Sequence, residues 1–318
     1  FLLSRPFLEQ AAGGRRVDVR SYAQRRMWRI LPLYWTFVVV GTVVLARQWS
    51  DLTRGLPYLL FLNPIAAPLS PFSDVWWSLM TEAQFYVMLP IVALLLMPPA
   101  GPIVSGLLPM LYIMAYIAWM LQIVGIPDLT AQIWVGLSLF ALAPVFICGA
   151  LAASFYRDRG PALRDRLAAS RLLRAGGGDA LLVLLLLALA LLLRWTCSIS
   201  YEVAQSAPFA VWHVAAGALW AGVVLAMLLL PLHLKPLLHN RVLMRLGVLS
   251  YSIYLVHVPV VKFAVIYLRG RGVSWLGEWN ARSAALAAGL VMLSIGISMV
   301  TYRWIELPFL ARKARVRG

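Results

Sequence analysis

The stretch Asp74-Val-Trp-Trp-Ser-Leu-Met-Thr-Glu-Ala-Gln-Phe-Tyr-Val-Met-Leu-Pro90 runs without interruption into the apolar residues 91–97. Its composition predicts one long apolar helix that carries a carboxylate, Glu82, in its interior. Steps of four residues return to nearly the same side of a helix, so Ser78, Glu82 and Tyr86 share one face. At the helical rise Glu82 lies about 10 Å below a membrane surface, where a charge is costly unless it is paired or faces a cavity. Glu82 is therefore a candidate functional residue, and the alternative is a structural ion pair with an arginine of a neighbouring helix.

The composition around this stretch indicates a protein that crosses a membrane several times. Apolar residues make up 62% of the 318 residues and only 13% are charged, which excludes a soluble domain of this size. The formal charge of +16 does not indicate a nucleic-acid partner, because the basic residues lie between apolar stretches rather than on a polar domain. We therefore expect an all-α fold, a polytopic integral membrane helical bundle, with the lipid bilayer as a partner and no nucleic acid.

Eight apolar stretches, most of them near the length that crosses a bilayer, follow a basic N-terminal segment. They lie at residues 30–47, 75–97, 103–124, 131–154, 180–195, 209–231, 247–268 and 283–304. When they are threaded alternately, the connecting segments place 20 Lys and Arg residues on one side and six on the other. Cytoplasmic segments carry such an excess of positive charge. The sequence thus predicts eight crossings in a single domain over residues 1–318, with both ends in the cytoplasm.

A basic motif stands where the first apolar stretch begins. It reads Arg25-Arg-Met-Trp-Arg-Ile-Leu-Pro32, and its Arg26 and Arg29 are one helical turn apart. Guanidinium groups at the level of the head groups can bind phosphates bidentately. The alternative is ordinary anchoring of a basic segment on lipid phosphates.

A third block, Gly247-Val-Leu-Ser-Tyr-Ser-Ile-Tyr-Leu-Val-His-Val-Pro259, carries a histidine inside a predicted span. Ser250, Tyr254 and His257 differ by four and seven residues, so they line one helical face. Such a face predicts a polar relay into the membrane. The alternative is a buried histidine whose role is packing.

These blocks together resemble the signatures of the membrane-bound acyltransferase family 3, whose members acylate sugars and other hydroxyl compounds. The matching patterns are Arg-x-x-Arg-Ile-x-Pro, Trp-Ser-Leu-x-x-Glu-x-x-Phe-Tyr and Ser-Tyr-Ser-Ile-Tyr-Leu-x-His-x-Pro. A weaker fourth block runs from Tyr302 to Pro308, where Arg303 and Glu306 are predicted to form a structural pair. The blocks follow the order of the family, and the resemblance extends from Phe1 to Pro308.

The resemblance implies an enzyme of a bacterial plasma membrane that moves an acyl group, expected to be acetyl, from coenzyme A to a hydroxyl of a saccharide or related acceptor. The implicated residues are Arg25, Arg26 and Arg29 for binding acyl-coenzyme A, and Glu82, Tyr86 and His257 for catalysis. Acyl-coenzyme A is then a donor substrate. No metal is expected, since no Cys/His cluster has metal-ligand spacing.

One departure from the family concerns the start of the chain. Family members have an earlier span with a histidine assigned as catalytic base, and no residue here matches it. The opening Phe1-Leu-Leu is similar to the end of the family's second span, so we expect an N-terminally truncated chain. His213 lies in the sixth predicted stretch but matches no family block, and it is not expected to replace the missing base.

A transporter or flippase is the alternative from a different functional class. In that case Glu82 and His257 would lie on a proton or substrate path between spans. The sequence shows no internal two-fold repeat, and the arginine pair stands at the entrance of a span. Both observations favour the acyltransferase.

Overall fold

The structure, a computed structural model, describes residues 1–62, 69–95, 102–123, 139–198, 207–278 and 280–315. Most of these residues are helical, and no strand occurs among them. The α-helices are α1 Arg5–Ala11, α2 Val19–Leu45, α3 Leu56–Leu59, α4 Trp76–Leu95, α5 Pro102–Ile123, α6 Leu139–Ala169, α7 Gly178–Ser198, α8 Ala207–Leu229, α9 Lys235–Leu238, α10 Arg241–Gly270, α11 Ala281–Thr301 and α12 Leu307–Arg315. The predicted all-α fold is confirmed.

Six helices or continuous helical runs within the described ranges are long and apolar enough to cross a membrane. They are Val19–Leu45, Leu139–Ala169, Leu173–Thr196, Trp212–Leu229, Lys235–Gly270 and Ala281–Ala311. The predicted polytopic membrane class is therefore confirmed. Helices α4 and α5 lie on the other two predicted stretches, and the count of eight crossings stays a prediction. Residues 131–138 of the fourth predicted stretch lie outside the described residues.

Helix α2 begins at Val19, well before residue 30, where the first predicted stretch starts. The carboxylate of Asp18 caps the helix by accepting hydrogen bonds from the backbone nitrogens of Arg20 at 3.0 Å and Ser21 at 3.3 Å. The basic motif at residues 25–32 consequently lies inside a regular helix. Its arginines project from a defined surface rather than from a loop.

The described residues form two compact units, each with its own packing. The first contains Phe1–Val17 and Val87–Asn240, and the second contains Asp18–Tyr86 and Arg241–Gly318. All the sequence blocks belong to the second unit, except that the last four residues of the block Asp74–Pro90 belong to the first unit. The prediction of a single domain remains a prediction.

Close helix packing holds the first unit together. A Cβ atom on Gly217 of α8 would lie 2.9 Å from the Cα of Val145 on α6, so only glycine allows the two backbones to approach this closely. On the other side of α8, Val223 and Ala226 pack against Leu182 of α7. A small residue at the first contact and apolar side chains at the second thus stabilise α8 against α6 and α7.

The core of the second unit is aromatic. Tyr34 of α2 and Trp76 of α4 are fully buried, with ring centroids 5.4 Å apart in an edge-to-face arrangement. The Tyr34 hydroxyl donates a hydrogen bond of 2.8 Å to the carbonyl of Tyr58. Helix α10 is attached to α2 by the Tyr251 hydroxyl, which donates to the carbonyl of Ile30 at 2.7 Å. These contacts fix α2, α4 and α10 against each other, and these three helices carry the predicted site residues.

A 3₁₀ helix, Trp49–Gly55, follows α2 and folds back against its end. Asp51 organises this turn: its carboxylate accepts from the backbone nitrogens of Arg47 at 2.9 Å and Gln48 at 3.3 Å and forms an ion pair of 2.8 Å with Arg54. These interactions, the backbone hydrogen bond from Arg47 first, hold the pKa of the Asp51 carboxyl below its usual range. The turn is therefore a rigid polar cap at the C-terminal end of α2.

Candidate functional site

Helix α4 presents a carboxylate and a phenol as a bonded pair. The Tyr86 hydroxyl donates a hydrogen bond to Oε1 of Glu82 one turn earlier, and both side chains are half-buried. The spacing of four residues is what lets the two side chains meet on the helix surface. The pair gives the site a hydrogen-bond donor and a proton acceptor in direct contact.

Arg26 of α2 lies on this pair. Its guanidinium carbon is 5.5 Å from the ring centroid of Tyr86 and 5.7 Å from that of Tyr22, both within the range of cation–π contacts. Its Nε is buried and has no hydrogen-bond partner within the described part of the chain. Two aromatic rings thus position the guanidinium group of Arg26 beside the Glu82–Tyr86 pair.

The three arginines of the basic motif have different surroundings. Arg26 contacts the ring of Tyr86, and Arg29 is near enough for its charge to act on the Tyr86 hydroxyl. Arg29 is exposed, and its charge also acts on Glu306. The charge of Arg25 acts on the carboxylate that caps α2. Of the three predicted donor-binding arginines, the structure places Arg26 in contact with the Glu82–Tyr86 pair and Arg29 within electrostatic range of it, whereas Arg25 is nearer to the carboxylate of Asp18.

Glu306 is buried at 3% exposure and accepts a hydrogen bond from the hydroxyl of Ser252 on α10, which is fully buried. The predicted structural pair with Arg303 does not form, since the Arg303 side chain is exposed. The cause is a π-helical segment, Tyr302–Glu306, which connects α11 to α12. Its wider turn rotates two residues that a regular helix would place on one face. Glu306 therefore lies inside the unit, beside the arginine motif.

Helix α10 reaches α4 through Tyr254. The Tyr254 hydroxyl donates to the carbonyl of Val75 and, having only one proton, accepts from the hydroxyl of Ser78. Its ring centroid lies 5.9 Å from that of His257. Tyr254 thus connects the histidine to the polar face of α4 that carries Glu82.

His257 has a defined proton position in its neutral form. Its Nδ1 lies 3.0 Å from the carbonyl of Ile253, and because a carbonyl only accepts, Nδ1 carries the proton and Nε2 is the acceptor. The predicted relay through Ser250 is wrong, since that side chain is exposed and donates to a carbonyl of its own helix. No contact among the described residues joins His257 directly to Glu82.

An ion pair at the start of α4 was not predicted from the sequence. The Asp74 carboxylate pairs with the ammonium group of Lys262 on α10 and accepts a hydrogen bond of 3.1 Å from the hydroxyl of Ser70. A lysine inside a predicted span is the sequence signal that indicates such a partner, because an isolated charge there is costly. The pair adds a second polar contact between α4 and α10.

Polar side chains of α4 and of the 3₁₀ helix Ser73–Val75 that leads into it form one row. Asp74, Ser78, Glu82 and Tyr86 follow each other at intervals of four residues, over about 18 Å at the helical rise. Within the described ranges, no group of three or more His, Cys, Asp or Glu side chains could hold a metal ion. The row offers carboxylate and hydroxyl groups for hydrogen bonding and proton transfer.

Comparison with known proteins gives one match. A family model described as an acyltransferase domain, Acyl_transf_3, matches residues 1–303. No curated protein and no solved structure matches the sequence. The matched range covers nearly all of the chain, with residues of both compact units and the row on α4.

Proposed function

Because the chain belongs to the membrane-bound acyltransferase family 3, and is therefore an acyltransferase, we propose that it moves an acetyl group from coenzyme A to a hydroxyl of a saccharide or related acceptor. Membership of this family favours the enzyme over the transporter. The observation that carries the proposal is the position of Arg26, which joins the basic motif of α2 to the Glu82–Tyr86 pair of α4.

The proposed donor site consists of Arg26 and Arg29. The phosphates of coenzyme A need fixed cationic donors, and a guanidinium group binds them through two parallel hydrogen bonds. The rings of Tyr22 and Tyr86 restrict the guanidinium of Arg26, and its buried Nε is without a hydrogen-bond partner among the described residues. An anionic ligand would bind the terminal nitrogens of the same guanidinium group and lie beside the carboxylate–phenol pair.

The proposed reaction requires one proton transfer and one displacement. The acceptor oxygen attacks the thioester carbonyl carbon, the new C–O bond forms, the C–S bond breaks, and the sulfur leaves with the proton that the hydroxyl lost. A base must take that proton and a donor must stabilise the oxyanion. The family resemblance assigns the principal base to a histidine of an earlier span. We therefore assign Glu82 and Tyr86 to orienting the reactants and stabilising charge, with His257 in support through its unprotonated Nε2.

The donor site is tested by replacing guanidinium with ammonium. Arg26→Lys and Arg29→Lys retain the positive charge but lose the fork that binds a phosphate bidentately. We expect acetyl-coenzyme A to bind each variant roughly tenfold more weakly, the equivalent of about 1.5 kcal/mol for a hydrogen bond to a charged group. Isothermal titration of the purified membrane protein with acetyl-coenzyme A measures this change.

Arg15 and Arg16 supply the matched controls. Both are exposed and precede α2, so the same change to lysine there should leave the affinity for acetyl-coenzyme A nearly unaltered. An equal loss of affinity at all four positions would mean that the basic segment only anchors the protein on lipid head groups.

A further inference from the structure

A polar cleft lies at the end of α2 opposite to the arginine motif. Its volume is about 500 Å³, and its lining residues are Leu45, Arg47, Gln48, Asp51, Arg54 and Ser70. Sites for small molecules commonly have this size. The helical segment from Arg26 to Leu45 is roughly 28 Å long at the helical rise, so the cleft is separate from the proposed donor site.

The charge of the cleft is unevenly compensated. Asp51 uses one carboxylate oxygen for Arg54 and the other for two backbone nitrogens of the turn. Arg47 is exposed, and no carboxylate among the described residues lies within ion-pair distance of its guanidinium. The cleft therefore has one compensated and one uncompensated guanidinium, and it is electropositive.

Ser70 connects the cleft to the proposed site. Its hydroxyl donates to Asp74, the first member of the row of polar side chains that continues along α4, and its oxygen can still accept a hydrogen bond. Glu82 follows Asp74 by two helical turns, about 12 Å at the helical rise. A ligand in the cleft would thus lie at one end of the row that carries Glu82.

We propose that this cleft binds the acceptor of the acyl group and that the acceptor is a saccharide bearing a carboxylate, as uronic acids do. The inference rests on the proposed transfer to a saccharide hydroxyl. Arg47 binds the carboxylate through its two parallel donors, while Arg54 and Ser70 bind sugar hydroxyls at the wall of the cleft. Asp51 has no free oxygen, and its role is to hold Arg54 and the turn in place.

The test uses two trisaccharides that differ in charge. Trigalacturonate and maltotriose are titrated into the purified protein, its Arg47→Gln variant and its Arg282→Gln variant at physiological ionic strength. Arg282 is exposed in the first turn of α11 and is predicted to lie on the same side of the membrane, so it is a matched control. We expect trigalacturonate to bind the unchanged protein and the Arg282→Gln variant equally well, and the Arg47→Gln variant about tenfold more weakly.

Three results would overturn the assignment: no binding of trigalacturonate, equal binding of maltotriose, or equal binding by the Arg47→Gln variant. Titration of the same preparations with acetyl-coenzyme A separates this inference from the proposed function. If acetyl-coenzyme A binds and trigalacturonate does not, the acceptor assignment alone fails. If acetyl-coenzyme A does not bind the unchanged protein, the donor assignment fails, and the saccharide titration still decides whether Arg47 recognises a carboxylate.

Discussion

Glu82 illustrates how one residue can be costly for a membrane helix and still be well accommodated. Its carboxylate accepts a hydrogen bond from the Tyr86 hydroxyl, and the ring of Tyr86 lies against the guanidinium group of Arg26. No Lys or Arg in the described part of the chain lies within ion-pair distance of Glu82. The structural ion pair considered from the sequence therefore finds no support, and a functional role is favoured.

The change Glu82→Gln separates these two roles. The amide keeps the size and most of the hydrogen bonding of the side chain but removes its charge, so the protein should fold and insert while turnover falls sharply. A buried structural ion pair would instead lose roughly 3–5 kcal/mol of stability when one partner is removed. Acetyl transfer and the melting temperature of the detergent-solubilised variant are measured together.

Tyr86→Phe is the companion variant, because it removes the hydroxyl that donates to Glu82 and keeps the ring that contacts Arg26. It should lower turnover while leaving acetyl-coenzyme A affinity unaltered. A melting temperature that collapses together with activity in Glu82→Gln would return Glu82 to a structural role.

At the scale of elements, α2 packs closely against two later segments of the chain at glycine residues. A Cβ on Gly41 would lie 3.0 Å from the ring of Phe72, and a Cβ on Gly55 would lie 2.4 Å from Oγ1 of Thr42. The Thr42 hydroxyl itself donates to the carbonyl of Val38 at 2.7 Å, so it is not free to move aside. Glycine at position 55 is therefore what allows the 3₁₀ turn to contact α2 and to form a wall of the polar cleft.

We predict that Gly55→Ala destabilises the protein by about 1–3 kcal/mol, the usual cost of overpacking. Adding Thr42→Ala removes the colliding oxygen and should restore part of the loss. Gly289→Ala on α11 is the control, because nothing lies within 4 Å of a Cβ at that position. Thermal unfolding of the four proteins measures the effect, and an unchanged melting temperature in Gly55→Ala would contradict the close packing of this turn.

At the scale of the whole molecule, the matched family range covers residues of both compact units, while the sequence blocks lie in the second unit. The second unit draws on two distant parts of the chain, Asp18–Tyr86 and Arg241–Gly318. Of the 20 Lys and Arg residues that the sequence predicts in cytoplasmic segments, ten belong to each unit. The orientation itself is therefore open to a direct experiment.

Topology reporters provide that experiment. Reporters fused after Gly178 and after Gly318 should report cytoplasm, because the neighbouring segments 157–174 and 312–317 hold ten of the 20 Lys and Arg residues of the predicted cytoplasmic set. A reporter fused after Gly272, an exposed turn residue that follows α10, should report the opposite side. A cytoplasmic signal at Gly272 would contradict the model of eight crossings.

The sequence by itself determined the helical membrane class and the residues that share a helix face, such as Glu82 with Tyr86. Both properties are local, since they follow from apolar content and from the 3.6-residue period. Only the tertiary structure decided which faces meet: Tyr254 bonds Ser78 across 176 residues, and the position of Arg26 on Tyr86 depends on how α2 packs on α4. The choice of partner depends on distances in space between helices, and the spacing of residues along one helix does not contain those distances.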